Sequence, residues 1–120
     1  MSKKLVVFVC TGNICRSSMA EYLFHQHLES HPGWDVCSAG VMSGHGAPAS
    51  RYAIKAAREV AVDMKEHRSQ PITRELVDDA SMLVVMTRTH RDILCERYPD
   101  AEPKVALLKS FDASADGDEV

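Results

Sequence analysis

Residues 4–24 read KLVVFVCTGNICRSSMAEYLF, and this stretch decides the fold. Residues 4–10 form a continuous apolar run rich in valine, which is typical of a strand buried on both faces of a parallel sheet. A three-residue break, TGN, then interrupts the run. Beyond it, apolar residues recur at steps of three and four, which predicts an amphipathic helix capped by Ser17 and Ser18, with Glu21 in its first turn. A strand therefore leads through a short loop into a helix.

The same alternation continues along the chain. Further strands are predicted at residues 34–38, 81–86 and 104–107, and further helices at 50–60, 73–78 and 90–98. Strands that alternate with helices indicate βαβ units, so we predict an α/β fold: a three-layer, doubly wound, four-stranded parallel sheet with helices on both faces. Right-handed crossovers place the loop after the first strand at the carboxyl edge of the sheet, where open α/β sheets bind ligands.

The size and charge of the chain restrict its class. The 120 residues suit a single domain spanning residues 1–120, and the final ten, 111–120, contain four acids and no base, which predicts a flexible acidic tail. A net charge of −3 argues against a nucleic-acid partner. The apolar runs are too short for a bilayer span or a signal peptide. We therefore expect no membrane partner, a cytoplasmic location, and cysteines that act as thiols or small hydrophobes.

The loop at residues 10–17, CTGNICRS, holds the chemistry. A Cys10 thiol that faces a helix N-terminus has its thiolate stabilised by the helix dipole and by free backbone N–H groups, and the same N–H groups suit a tetrahedral oxyanion. Arg16 can grip two phosphate oxygens, and Ser17 can donate a hydrogen bond to the thiolate. Gly12 and Asn13 tolerate the positive φ that a tight loop needs. The alternative interpretation is a buried cysteine followed by an ordinary loop.

The segment 7–24, VFVCTGNICRSSMAEYLF, resembles the signature of the low-molecular-weight protein tyrosine phosphatases, although Ser18 stands where many members carry proline. The resemblance continues at residues 34–40, 62–69 and 80–86 and covers nearly the whole chain. Arsenate reductases and arginine phosphatases share this family's fold. The resemblance implies a phosphatase without a metal or another cofactor.

The resemblance also implies roles for the loop. Cys10 would attack phosphorus to give a phosphocysteine that water hydrolyses, Arg16 would bind the phosphate, and Ser17 would stabilise the thiolate as it leaves. The phosphate-binding loop would comprise Thr11, Gly12, Asn13, Ile14 and Cys15.

Further residues would support that loop. The resemblance implies that Asn13, through Ser38 and His67, holds the loop in its strained shape. Cys15 would form a reversible disulfide with Cys10 under oxidation, which makes the nucleophile redox-sensitive.

The sequence departs from the family near its C-terminus. Members carry an Asp-Pro dipeptide whose aspartate is the general acid, and the 120 residues contain no Asp-Pro. Loss of a general acid costs ~10²–10⁴-fold in rate, so we expect slow catalysis. Alternatively Asp116, Asp118 or Glu119 substitutes for it. The family's last helix also has no counterpart, which predicts exposed apolar sheet surface and a dimer formed through it.

The loop also bears on the substrate. Apolar Ile14 suits a flat aromatic leaving group, whereas arginine phosphatases tend to carry threonine there, so the predicted substrate is a phosphotyrosine protein or a small aryl phosphate. An arsenate reductase relay needs two further cysteines seven residues apart; Cys95 matches the second, but Arg88 stands in place of the first. Protein arginine phosphatase, arsenate reductase, and a phosphate-binding or redox-sensing module without efficient turnover stay as alternatives.

Outside these motifs, other residues have simpler interpretations. Cys37 and Cys95 are predicted to pack as small hydrophobes. Arg88, His90 and Arg91 form a basic cluster after the strand at 81–86, where they either attract anionic peptides or form a solvated helix start.

Overall fold

The computed structural model describes residues 3–112, and its centre is a sheet of four parallel strands in the order β2-β1-β3-β4. The strands are β1 (Lys4–Cys10), β2 (Trp34–Gly40), β3 (Met82–Val85) and β4 (Val105–Leu107). In the register, Phe8 pairs with Ser38 on one side and Val84 on the other. The predicted doubly wound parallel sheet is confirmed, with the first strand in its interior.

Residues 3–112 hold four α-helices and three short 3-10 turns, the last of which follows β4. The helices are α1 (Arg16–His27), α2 (Arg51–Arg58), α3 (Arg74–Asp79) and α4 (Arg88–Arg97). The turns are Leu28–Ser30, Pro99–Lys104 and Leu108–Phe111. Every predicted element exists in the predicted order. Phe111, expected to begin the tail, instead ends the last turn, and residues 113–120 of that predicted tail lie outside the described residues.

The end of α2 corrects the predicted helix at 50–60. Ser50 caps the helix, since its side chain accepts a hydrogen bond from the Ala53 N–H, and the last helical residue is Arg58. Ala61 is left-handed at φ 61°, and the N–H of Val62 returns to the carbonyl of Ala57 at 2.9 Å, which closes the helix in a Schellman motif.

The core lies on both faces of the sheet because side chains alternate along β1. Val7 and Val9 pack with Leu83, Val77 and Leu94 on the face that carries α3 and α4. The opposite face carries α1 and holds a second set of apolar residues: Val6, Phe8, Cys10, Val36, Val84 and Met86. The predicted helices on both faces are therefore confirmed.

The helices are all short. Within residues 3–112, none is both long enough and apolar enough to cross a bilayer.

Candidate active site

Cys10 ends β1 and faces the start of α1. Its side chain is buried, with the residue only 3% exposed, and its Sγ lies 2.9 Å from the hydroxyl oxygen of Ser17. A hydroxyl that donates to sulfur favours the thiolate over the thiol. The strand and the helix therefore bring the two predicted residues together across the loop.

The start of α1 differs from the predicted cap at Ser17 and Ser18. The helix begins at Arg16, the side chain of Cys15 before it makes no capping hydrogen bond, and its first turn carries no acid, so Glu21 lies further along the helix. The serine hydroxyls are used elsewhere: that of Ser18 donates to the carbonyl of Cys15 at 2.9 Å, and that of Ser17 faces Cys10. Helix N–H groups without a side-chain cap and the helix dipole together suit an oxyanion.

Asn13 holds the middle of the loop in a left-handed conformation. It is fully buried with φ 58°. Its Nδ2 donates to the hydroxyl oxygens of Ser17 at 2.9 Å and Ser38 at 2.7 Å, while its Oδ1 accepts from the Gln70 N–H at 2.9 Å. Gly12, also expected at positive φ, does not adopt it. The strain of the loop is therefore concentrated at one residue, which its side chain anchors three times.

The hydrogen bonds of Asn13 also orient the hydroxyl of Ser17. Since Ser17 Oγ accepts from Asn13, its own hydrogen is left for the sulfur of Cys10. Ser38 in turn accepts from Asn13 and donates to Glu21 Oε1 at 2.5 Å. Burial raises the pKa of Glu21, and the Ser38 hydrogen bond and the nearby His67 partly oppose that rise. A continuous chain of hydrogen bonds thus joins the nucleophile to a carboxyl group.

His67 supports the same loop from another element. Its Nε2 lies 2.6 Å from the carbonyl oxygen of Asn13. A carbonyl only accepts, so this ring nitrogen carries the hydrogen. The ring is buried and meets the edge of Tyr22, with ring centroids 5.8 Å apart. The structure places His67 and Ser38 where the resemblance put them, and their roles in the reaction stay predictions.

Three supporting residues were missed from the sequence. A Cβ on Gly40 would lie 2.5 Å from the carbonyl oxygen of Thr11 and 2.6 Å from Ser43 Cβ, so only glycine fits where β2 passes the loop. Gln70 donates its backbone N–H to Asn13. Glu21 was assigned only to the helix start, although its spacing of four from Ser17 places both on one helix face.

The structure also corrects the basic cluster after β3. His90 was expected either to attract peptides or to be solvated with Arg88 and Arg91. Instead its ring is only 3% exposed, and its Nε2 lies 2.9 Å from the hydroxyl oxygen of Thr11. His90 is thus a neighbour of the loop, because β3 lies beside β1 and α4 begins at the same sheet edge.

The remaining cysteines differ in their surroundings. Burial raises the pKa of the Cys37 thiol to about 12, as suits a packed small hydrophobe. Cys95 was predicted in the core but is only partly buried on α4, where Leu94 is the residue that enters the core. Cys15 packs beside Met19 against a cluster of α2 residues.

Two further predictions concern the general acid and a metal ion. The candidate substitute acids Asp116, Asp118 and Glu119 lie outside the described residues. Among residues 3–112, no group of three or more histidine, cysteine or acidic side chains is arranged to hold a metal ion.

Comparison with known proteins supplies independent evidence. The family model described as "Low molecular weight phosphotyrosine protein phosphatase" matches residues 5–120. A protein-arginine-phosphatase of Geobacillus stearothermophilus is 40% identical over 113 residues, covering 94% of this chain and 74% of the relative. The probable low molecular weight protein-tyrosine-phosphatase EpsP of Ralstonia solanacearum is 38% identical over 105 residues, covering 88% and 70%. The solved YwlE arginine phosphatase of Geobacillus stearothermophilus superposes with a TM-score of 0.86 at 39% identity, covering 96% and 73%.

Proposed function

This chain belongs to the low-molecular-weight phosphotyrosine protein phosphatase family, and on that premise we propose that it hydrolyses phosphotyrosine in proteins with Cys10 as nucleophile. The observation that carries the proposal is the contact between Cys10 Sγ and Ser17 Oγ, 2.9 Å apart at the start of α1. It couples a buried sulfur to a hydroxyl that Asn13 orients.

In the first step, Cys10 Sγ forms a bond to phosphorus and the bond from phosphorus to the tyrosyl oxygen breaks. The leaving oxygen departs with the electron pair and takes up a proton. Arg16 and the N–H groups of the loop hold the three other phosphate oxygens, so charge that develops on them meets donors already in place.

In the second step, water attacks the phosphocysteine. An oxygen–phosphorus bond forms, the sulfur–phosphorus bond breaks, and inorganic phosphate leaves. The sulfur departs as a thiolate, which the hydroxyl of Ser17 stabilises. Replacing Ser17 with alanine is expected to slow both steps, and replacing Cys10 with serine to abolish turnover; burst kinetics with p-nitrophenyl phosphate separate the steps.

We propose that protonation of the leaving oxygen limits the rate. The candidate donors are Asp116 and Asp118, and without an effective donor the rate depends steeply on how well the leaving group carries negative charge. The test compares p-nitrophenyl phosphate with phenyl phosphate in the wild type, in Asp116→Asn and in Asp118→Asn. If the rate depends steeply on the leaving group, and neither variant changes that dependence, the result supports slow catalysis. A shallow dependence that becomes steep in Asp118→Asn assigns that residue as the acid and contradicts slow catalysis.

Ile14 supports an aromatic substrate. Its carbonyl accepts from the N–H of Ser50 at 2.8 Å, which fixes its place in the loop, and its side chain lies beside Gly12. The competing proposal is protein arginine phosphatase, favoured by the identity to relatives so named. The test is kcat/KM on matched phosphotyrosine and phosphoarginine peptides, with Ile14→Thr as the matched variant. A wild-type preference for phosphoarginine would overturn the assignment.

We propose that the nucleophile is redox-sensitive, with Cys15 as its partner in a reversible disulfide, and that the enzyme works in the cytoplasm, where thiols are kept reduced. Oxidation of Cys10 to a sulfenic acid by peroxide, followed by attack of the Cys15 thiolate with displacement of hydroxide, gives that disulfide. Peroxide should inactivate the wild type reversibly and the Cys15→Ser variant irreversibly. Equal recovery of both with dithiothreitol would contradict the pairing.

We propose a dimer through the sheet face that carries α1. A groove of about 500 Å³ lies there, lined by apolar side chains that include Phe8, Phe24, Trp34 and Val84, and Phe111 stands beside it 60% exposed. Phe111 is part of the lining of this groove, so a second copy that covers the groove with the same face also buries the exposed ring, and the proposed occupant is a second copy. Light scattering should report a dimer for wild type and for Met42→Ser, and a monomer for Phe111→Ser. A monomeric wild type at all concentrations would refute it.

A further inference from the structure

Two buried imidazoles contact the phosphate-binding loop, and a supporting role was expected for only one of them. His67 bonds the carbonyl of Asn13, in the middle of the loop. His90 contacts the loop one residue after the nucleophile, with its Nε2 2.9 Å from the hydroxyl oxygen of Thr11. The two histidines come from different sides of β1, because the chain segments that hold them follow β2 and β3.

His90 is itself firmly held. It lies in the first turn of α4, where its backbone N–H donates to the hydroxyl oxygen of Thr87 at 3.1 Å. The same helix places Leu94, which is fully buried, in the core. The imidazole is therefore a fixed partner for a loop side chain rather than a mobile surface group.

Thr11, by contrast, is an exposed residue. Gly12 follows it and carries no side chain, and the three side-chain hydrogen bonds of Asn13 act one residue later. The backbone carbonyl of Thr11 accepts from the Met42 N–H at 3.0 Å. The contact with His90 is thus the side-chain anchor of Thr11 itself, directly beside Cys10.

We propose that His90 is a positioning residue for the reaction: through the hydroxyl of Thr11 it holds the first part of the phosphate-binding loop in the shape that binds the transition state. The proposal deepens the proposed function and rests on it. A displacement of about 1 Å in such a loop costs up to about a hundredfold in rate, so a modest loosening has a measurable effect. His90 acts through Thr11, whose hydroxyl it contacts.

The experiment is a double-mutant cycle on the full chain with His90→Leu, Thr11→Val and the double variant. Each single substitution should lower kcat about tenfold and weaken inhibition by vanadate by a similar factor, with KM changed less than about twofold, because the contact acts on the transition state. The double variant should be no worse than the singles, since both remove one interaction. Thr89→Val, an exposed threonine on α4, is the matched control and should behave as wild type.

A rescue variant separates positioning from packing. The terminal amide of glutamine offers a nitrogen near the place of the histidine Nε2, so His90→Gln should recover kcat to within about threefold of wild type. Additive effects in the cycle, or a folded His90→Gln as slow as His90→Leu, would overturn the proposal. If His90→Leu does not fold, Thr11→Val is the deciding variant. A Thr11→Val protein with the kcat and the vanadate inhibition of the wild type would overturn the proposal.

A second readout does not depend on turnover. Vanadate in the loop should protect Cys10 from iodoacetate, and Thr11→Val should raise the vanadate concentration needed about tenfold, in line with the weaker vanadate inhibition. Protection in a protein without phosphatase activity would refute the proposed function while supporting the loop contact. Equal protection of wild type and Thr11→Val would refute the loop contact alone.

Discussion

Replacement of Asn13 tests how the loop keeps its shape. The residue combines a left-handed backbone at φ 58° with complete burial and three side-chain hydrogen bonds. Alanine at this position loses all three bonds and retains a Cβ that disfavours the left-handed conformation. Glycine loses the same bonds but adopts that conformation freely. The pair of variants therefore separates the side-chain contribution from the backbone contribution.

The expected magnitudes follow from the contacts. Each buried hydrogen bond contributes about 1 kcal/mol net, so both variants lose about 3 kcal/mol of unfolding free energy. Alanine loses about 1 kcal/mol more than glycine because of the backbone. A total of about 4 kcal/mol is a large part of the stability of a domain this small. Both variants should also lower kcat at least about tenfold, because the hydroxyl of Ser17 is then free to turn away from Cys10.

Urea unfolding followed by circular dichroism measures the free energies, and p-nitrophenyl phosphate measures kcat. Ser38→Ala is the control: it removes two hydrogen bonds, to Asn13 and to Glu21, and leaves the backbone of Asn13 unchanged, so it should lose about 2 kcal/mol. A loss below about 1 kcal/mol in both Asn13 variants, or equal losses in alanine and glycine, would refute the reasoning that the side chain and the backbone act together at this residue.

Three further substitutions probe other features. Gly40→Ala should cost more than about 2 kcal/mol in urea unfolding and raise the KM for phosphate esters, because its Cβ would lie 2.5 Å from the carbonyl oxygen of Thr11; a stable, active variant would contradict that crowding. Ala61→Gly should raise the thermal midpoint by the equivalent of about 1 kcal/mol, since Ala61 is left-handed at φ 61°, and a lowered midpoint would be inconsistent with strain there. Glu21→Gln should become more stable relative to wild type as the pH rises above 4.5, the ordinary pKa of a glutamate side chain. Burial raises the pKa of Glu21 in the folded state, so ionisation of this residue opposes folding above that pH. Parallel profiles of stability against pH for the two proteins would contradict this prediction.

The nucleophile loop was predictable because its determinants are local. A valine-rich strand, a TGN break and a helix with three- and four-residue spacing lie within residues 4–24 and specify a strand, a loop and a helix without any distant contact. The parallel sheet followed from the alternation of elements. The positive φ of Asn13 was anticipated from residue type, whereas the start of α1 was misplaced because the hydroxyls of Ser17 and Ser18 have other partners.

The supports of the loop were less predictable because they come from far along the chain. His90 is 79 residues from Thr11, and its burial depends on β3 lying beside β1, which hydrophobic periodicity does not specify. Gly40 lies beyond the strand predicted at residues 34–38, and the need for its missing Cβ emerges only from the path of Thr11. The resemblance located Ser38 and His67, while spacing alone gave no reason to connect either to the loop.

The stability of the protein depends on the anions in solution, because the start of α1 suits an oxyanion. The side chain of Cys15, which precedes the helix, makes no capping hydrogen bond, so an oxyanion that binds at the helix start supplies a cap and favours the folded state by an amount that grows with the logarithm of its concentration. At a hundred times its dissociation constant, phosphate adds about 2.7 kcal/mol. Melting temperatures measured in phosphate and in an amine buffer therefore describe the protein with and without bound phosphate. Variants must accordingly be compared at one fixed concentration of the same anion.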